Sequence, residues 1–114
     1  MKYLPLAIVL VVLPLGARNA GAQAQAPDGQ VLYRESCRSC HGTSGVPTPR
    51  MAALYKNLAA LDSAYLTGRS EDSIVAVLQS GIGRDMKSYK EKLTPEQLHA
   101  VAAYLRVLAK PAAP

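Results

Sequence analysis

Glu35-Ser36-Cys37-Arg38-Ser39-Cys40-His41-Gly42 holds both cysteines of the chain and one of its two histidines. The spacing C-x-x-C-H has a direct mechanical reading. Two thiols three positions apart at a helix end can each add to one vinyl group of the same haem. His41 then sits under the iron and offers an imidazole nitrogen. Three other readings compete. A structural disulfide is normal in exported proteins. A thioredoxin-like pair asks for a βαβ context, which the chain lacks. A zinc site needs two more ligands, and the only other histidine is His99. None of the three accounts for a histidine directly after the second cysteine. The motif therefore implies one haem c with its iron, covalently held through Cys37 and Cys40, with His41 as the proximal ligand.

Attachment of that kind needs reduced thiols and haem on the outer side of a membrane, and the N-terminus is suited to export. Lys2 gives a short positive region, and Tyr3 to Leu15 is an uncharged, mostly apolar run of 13 residues. Ala20-Gly21-Ala22 then fits a small-residue cleavage pattern, as do Ala22-Gln23-Ala24 and Ala24-Gln25-Ala26. Cleavage after Ala22 is the favoured expectation. The apolar run falls short of the ~20 residues of a spanning helix, so a cleaved signal peptide over 1–22 is expected rather than a membrane anchor. The periplasm is the expected location.

Removing residues 1–22 from 114 leaves 92, enough for one small domain with a modest core. There is no Trp and no Phe, so a large apolar cofactor would supply core volume that the side chains lack. The leader takes Lys2 and Arg18 from the 13 basic residues, leaving 11 against 8 acidic, a net +3. That balance suits docking on acidic protein patches and is too weak to argue for nucleic acid.

Residues 23–27 read as a flexible stub, 28–110 as the domain and 111–114 as a tail. Asp28 is a predicted N-cap for a helix over Gly29 to Cys37. Cys40 to Pro49, with two glycines and two prolines, reads as loop. Met51 to Leu61 is predicted helical from its Ala and Leu content, and Asp62 to Arg69 is ambiguous. Ser70 followed by Glu71 and Asp72 starts a helix with Ile74, Val75 and Leu78 on its apolar stripe and Gly81 as its stop. Thr94-Pro95-Glu96-Gln97 is a capping-box start for a last helix with Leu98, Val101, Ala102, Leu105 and Leu108 at helical spacing. Nothing alternates as a strand does. The reading is all-α, four to five short helices around one haem.

An electron carrier with closed iron needs a sixth ligand, and a Met thioether opposite His raises the potential. Met51 and Met86 are the candidates beyond the leader. Met86 lies in a glycine-bearing loop that can fold over the open haem face, whereas Met51 sits in an Ala/Leu-rich helix where Met is usually core filler. Met86 is the expected distal ligand. The competing reading leaves Met86 an ordinary loop residue and the iron five-coordinate. His99 reads as a surface histidine. The carbonyl of Pro47 or of Pro49 could orient the His41 ring.

The chain resembles the class I monohaem cytochromes c, especially the short bacterial ones. The resemblance runs from Asp28 to Leu108 through D-G-Q-V-L-Y-R-E-S-C-R-S-C-H-G, G-I-G-R-D-M-K-S-Y-K-E-K-L and L-T-P-E-Q-L-H-A-V-A-A-Y-L-R. It implies the cytochrome c-like fold, with Gly29 and Tyr33 of the first helix packing on Val101 and Tyr104 of the last, and it implies Met86 as the distal ligand. Two features depart from the family. Lys87 stands where Pro often follows the Met, and no Trp is present to bond a haem propionate, which leaves Tyr55, Tyr89 and nearby arginines as candidates.

The function these readings imply is outer-sphere one-electron transfer between redox partner proteins, not enzymatic turnover. Arg84, Lys87, Lys90 and Lys92 would steer the carrier onto acidic partners. The chain is expected to be a monomeric periplasmic carrier. The alternative is a dedicated haem c subunit of a periplasmic dehydrogenase or oxidase complex. A third reading, a ligand-binding or peroxide-reactive haem protein, requires an open sixth site.

Overall fold

The computed structural model describes residues 25–110, so the expected signal peptide, part of the stub and the C-terminal tail lie outside the described residues. Six helices follow one another: α1 Gly29–Ser36, α2 Arg38–His41, α3 Pro49–Leu54, α4 Ser63–Leu66, α5 Glu71–Ser80 and α6 Pro95–Leu108. There are six rather than four or five because two of them are single turns. No strand occurs among the described residues. One isolated antiparallel pair joins Ile82 and Met86.

The three longer helices begin where their capping residues say they should. Asp28 Oδ1 accepts from the backbone N–H groups of Gln30 and Val31 at 2.9 and 3.3 Å. Ser70 Oγ accepts from Ser73 N at 3.1 Å. At α6 the box closes both ways, Gln97 N donating to Thr94 Oγ1 at 3.2 Å and Thr94 N to Gln97 Oε1 at 2.9 Å. Gly81 ends α5 with φ +70, a conformation that other residues adopt only at a cost.

The predicted helix over Met51 to Leu61 is corrected. The helix there starts earlier, at Pro49, and stops at Leu54. Thr48 accepts from Met51 N and Pro49 takes the first turn. This is the same start signal as Thr94-Pro95, hidden inside what reads as loop. Past Tyr55 the chain runs out of helix so that Leu61 N can bond Gly45 O at 2.8 Å, which buries Leu61. The ambiguous 62–69 stretch contains α4, capped by Asp62.

The core forms where α6 packs against α1 and α5. Its deepest residues are Tyr33, Leu98, Val101 and Ala102, at 2%, 1%, 1% and 0% exposure. Gly29 lets α1 lie directly on α6: a Cβ there would stand 2.1 Å from the Ala100 carbonyl oxygen. One turn on, the Tyr33 and Tyr104 rings meet in a tilted pair with centroids 5.5 Å apart. No polar or charged residue is buried among the described residues. The core ends on an open apolar cavity rather than closing on itself.

Candidate functional site

The cavity has a volume of about 660 Å³. Its floor is core: Tyr33, Ile74, Leu78, Val101 and Leu105 reach it from three helices. Cys37, Cys40 and His41 line it from α2 and the residue before it, and Met86 lines it from the loop after α5. The structure thus brings all four candidate residues to one cavity. Met51, half-buried on α3, and His99 do not line it. His99 lies on the surface with 46% of its side chain exposed, its Nδ1 2.9 Å from Glu71 Oε1.

Backbone geometry explains how five consecutive residues present three functional side chains. Cys37 closes α1 and opens α2. Its N–H bonds Tyr33 O at 2.8 Å, and its carbonyl accepts from Cys40 and His41 at 3.2 and 3.0 Å. That single turn puts Cys40 and His41 against the cavity. Gly42 then reverses the chain at φ +79, and a Cβ on it would stand 2.1 Å from Val46 O. The Tyr33 hydroxyl donates to Gly42 O at 2.7 Å and fixes the far end of the turn. Sequence reasoning assigned Tyr33 to packing alone. The signal for more was its position four residues before Cys37, on the same helical face.

The Met86 loop is equally constrained. Ile82 N bonds Met86 O at 2.8 Å and Met86 N bonds Ile82 O at 3.2 Å. Tyr89 N bonds Leu78 O at 2.8 Å, and Ser88 Oγ donates to Gln79 O. The loop therefore folds back onto the end of α5. Lys87 does not leave it slack, because these bonds hold the backbone on both sides of Met86.

Burial sets the electrostatics. It pushes the Cys37 thiol up to about 11, with the neighbouring Cys40 adding to the shift. It pushes Tyr33 up to about 12. It pulls His41 below its ordinary value, which favours the neutral imidazole, the form that ligates a metal. His41 Nδ1 is buried and has no hydrogen-bond partner, so neither the Pro47 nor the Pro49 carbonyl engages it. Cys37 and Cys40 are free thiols. Among the described residues no three His, Cys, Asp or Glu side chains converge.

An apolar cavity, two free thiols, an unsatisfied buried imidazole and a thioether from a separate loop are a donor set that fits a covalent haem. Of the candidate propionate partners, Tyr55, Arg69 and Tyr89 all line the cavity. The Tyr89 proton is already committed to the Ser36 carbonyl, at 2.9 Å. Arg69 holds its guanidinium over the Tyr65 ring at 4.2 Å and donates Nε–H to Tyr65 O.

Residues 24–105 match the family described as cytochrome c oxidase, cbb3-type, subunit III. The chain belongs to that c-type cytochrome family. It is 32% identical over 108 residues to the cbb3-type cytochrome c oxidase subunit CcoP of Rhodobacter capsulatus, covering 89% of this chain and 35% of that protein. It is 29% identical over 83 residues to subunit FixP of Bradyrhizobium diazoefficiens, covering 73% of this chain and 27% of that protein. The chain thus spans about a third of the length of the curated relatives it matches. A solved structure, the KustC0563 c-type cytochrome, superposes with a TM-score of 0.65 at 32% identity, over 73% of this chain and 99% of that one. Membership makes this a haem c protein of electron transport, with iron as its metal, and Cys37 and Cys40 are its two cysteines. No helix among the described residues is long and apolar enough to cross a membrane.

Proposed function

We propose that Cys37 and Cys40 would tether the haem, that His41 and Met86 would ligate its iron, and that the chain serves as the haem c module of a periplasmic oxidase or dehydrogenase complex. The observation that carries the site assignment is that Met86, His41 and both cysteines line one cavity. When bound, the haem supplies reversible one-electron chemistry at its iron. The chain's own residues set the conditions for it. Burial keeps the His41 imidazole neutral and available. The Met86 thioether would ligate the iron and so deny that place to other ligands. Leu78, Val101 and Leu105 keep water from the buried face, which tunes the potential. Arg84, Lys87 and Lys92 also line the cavity and give that face a positive field toward an acidic redox partner, diluted by Asp85. Export by residues 1–22 brings the thiols to the periplasmic side.

The oxidase complex is favoured over a free carrier because the curated relatives are cbb3-type oxidase subunits by name. The free carrier is the second reading, and the KustC0563 match supports it, since the shared domain there makes up 99% of the chain. Gel filtration of a native membrane and periplasmic extract, stained for haem, separates the two. Co-elution with a large oxidase or dehydrogenase is expected. Elution alone, at the size of one small domain, replaces the subunit reading with the free carrier.

A further inference from the structure

We propose that Tyr89 is a positioning residue that holds the Met86 loop closed over the cavity by bonding the chain just ahead of Cys37. This rests on the reading that Met86 is an iron ligand. The Tyr89 hydroxyl donates to Ser36 O at 2.9 Å, across 53 residues of sequence. Ser36 is the last residue of α1, and Cys37 follows it directly. Among the described residues this is the one hydrogen bond that joins residues 81–92 to residues 36–42. Without it, the hydrogen bonds of the loop run only to α5 and within the loop itself.

The loop is built so that one such bond matters. Tyr89 is anchored on both sides of its Cα: its N–H bonds Leu78 O at 2.8 Å, and its carbonyl accepts from Lys92 and Leu93, each at 2.9 Å. Three residues earlier, Met86 is paired with Ile82. Gly81 allows the return path, because a Cβ there would stand 2.5 Å from Met86 O. Residues 82–89 are therefore held back against the end of α5. The ring of Tyr89 lines the cavity, half-buried against the core, with Lys92 Nζ 5.7 Å above it. Its hydroxyl ties this piece to the segment ahead of Cys37. Tyr33 provides the matching bond on the other flank of the turn, at Gly42 O. It belongs to α1 itself and has no reach to the loop. The segment Cys37–His41 is thus bracketed by two tyrosine hydroxyls, one of them delivered by the element that carries Met86.

With Lys87 after Met86, the loop is held by its hydrogen bonds, the Tyr89–Ser36 bond among them. The Lys87 backbone is not restricted as a proline's is, so opening at Met86 is opposed by hydrogen bonds rather than by ring geometry. Loss of one such bond corresponds to about a fivefold rise in the open fraction.

The test uses the haem-loaded full chain. Tyr89→Phe removes one oxygen and keeps the ring. The readouts are the rate of CO binding to the reduced protein at neutral pH and the urea midpoint by far-UV circular dichroism, with Met86→Ala as the reference for an open site. Tyr89→Phe is expected to speed CO binding about fivefold while Met86→Ala binds CO fastest. The double variant Tyr89→Phe with Lys87→Pro is expected to recover most of the slow binding. If Met86→Ala leaves spectrum and CO binding at parental values, Met86 is not a ligand and the reading beneath the proposal falls. If Met86→Ala opens the site but Tyr89→Phe binds CO at the parental rate, the positioning role of Tyr89 is overturned, whatever happens to the urea midpoint.

Discussion

His41 is one residue of a single helical turn, and burial holds its imidazole below the usual value near 6.5, which favours the neutral form that ligates a metal. At this scale the lining of the cavity was largely legible from residue order alone: Cys37, Cys40 and His41 stand out by spacing, Met86 by its glycine-bearing loop, and all four line it. What was not legible is where hydroxyls go. Nothing in the sequence says that Tyr33 bonds Gly42 or that Tyr89 bonds Ser36, since both depend on how segments far apart are docked.

At the scale of elements, the caps carried the reading. Asp28, Ser70 and Thr94 each place a side-chain oxygen over the first turn, and α1, α5 and α6 begin where those residues predict. Thr48-Pro49 carried the same signal but came directly after a stretch with Gly42, Gly45 and Pro47, and the Ala/Leu content after Met51 drew the predicted helix too far. The chain leaves helix at Tyr55 because Leu61 is needed at Gly45, a tertiary demand that outranks local propensity. The contact that most limits substitution is the approach of α1 to α6. A Cβ at Gly29 would stand 2.1 Å from Ala100 O and 2.9 Å from Tyr104 Cβ, so backbone has to move. Gly29→Ala is expected to cost about 3 kcal/mol in urea unfolding. A cost near zero would mean that α1 and α6 do not touch there.

For the whole molecule, the decisive fact is that its core opens onto a cavity. No Trp or Phe is present, and the core where α6 packs on α1 and α5 ends at a cavity of about 660 Å³. Apolar core residues, the two cysteines, His41 and Met86 line it, with Arg84, Lys87 and Lys92 among the polar lining. The composition foretold a missing core volume, and family membership names what fills it. The fold and the chemistry are then a single proposal: a domain that folds around a haem and exchanges one electron through it. A potentiometric titration of the haem-loaded protein, followed in its visible spectrum, examines this directly. A single wave with a one-electron slope of about 59 mV per decade is expected. The absence of any wave in the visible spectrum, with thiol labelling instead following a two-electron Cys37–Cys40 couple of about 30 mV per decade, contradicts it.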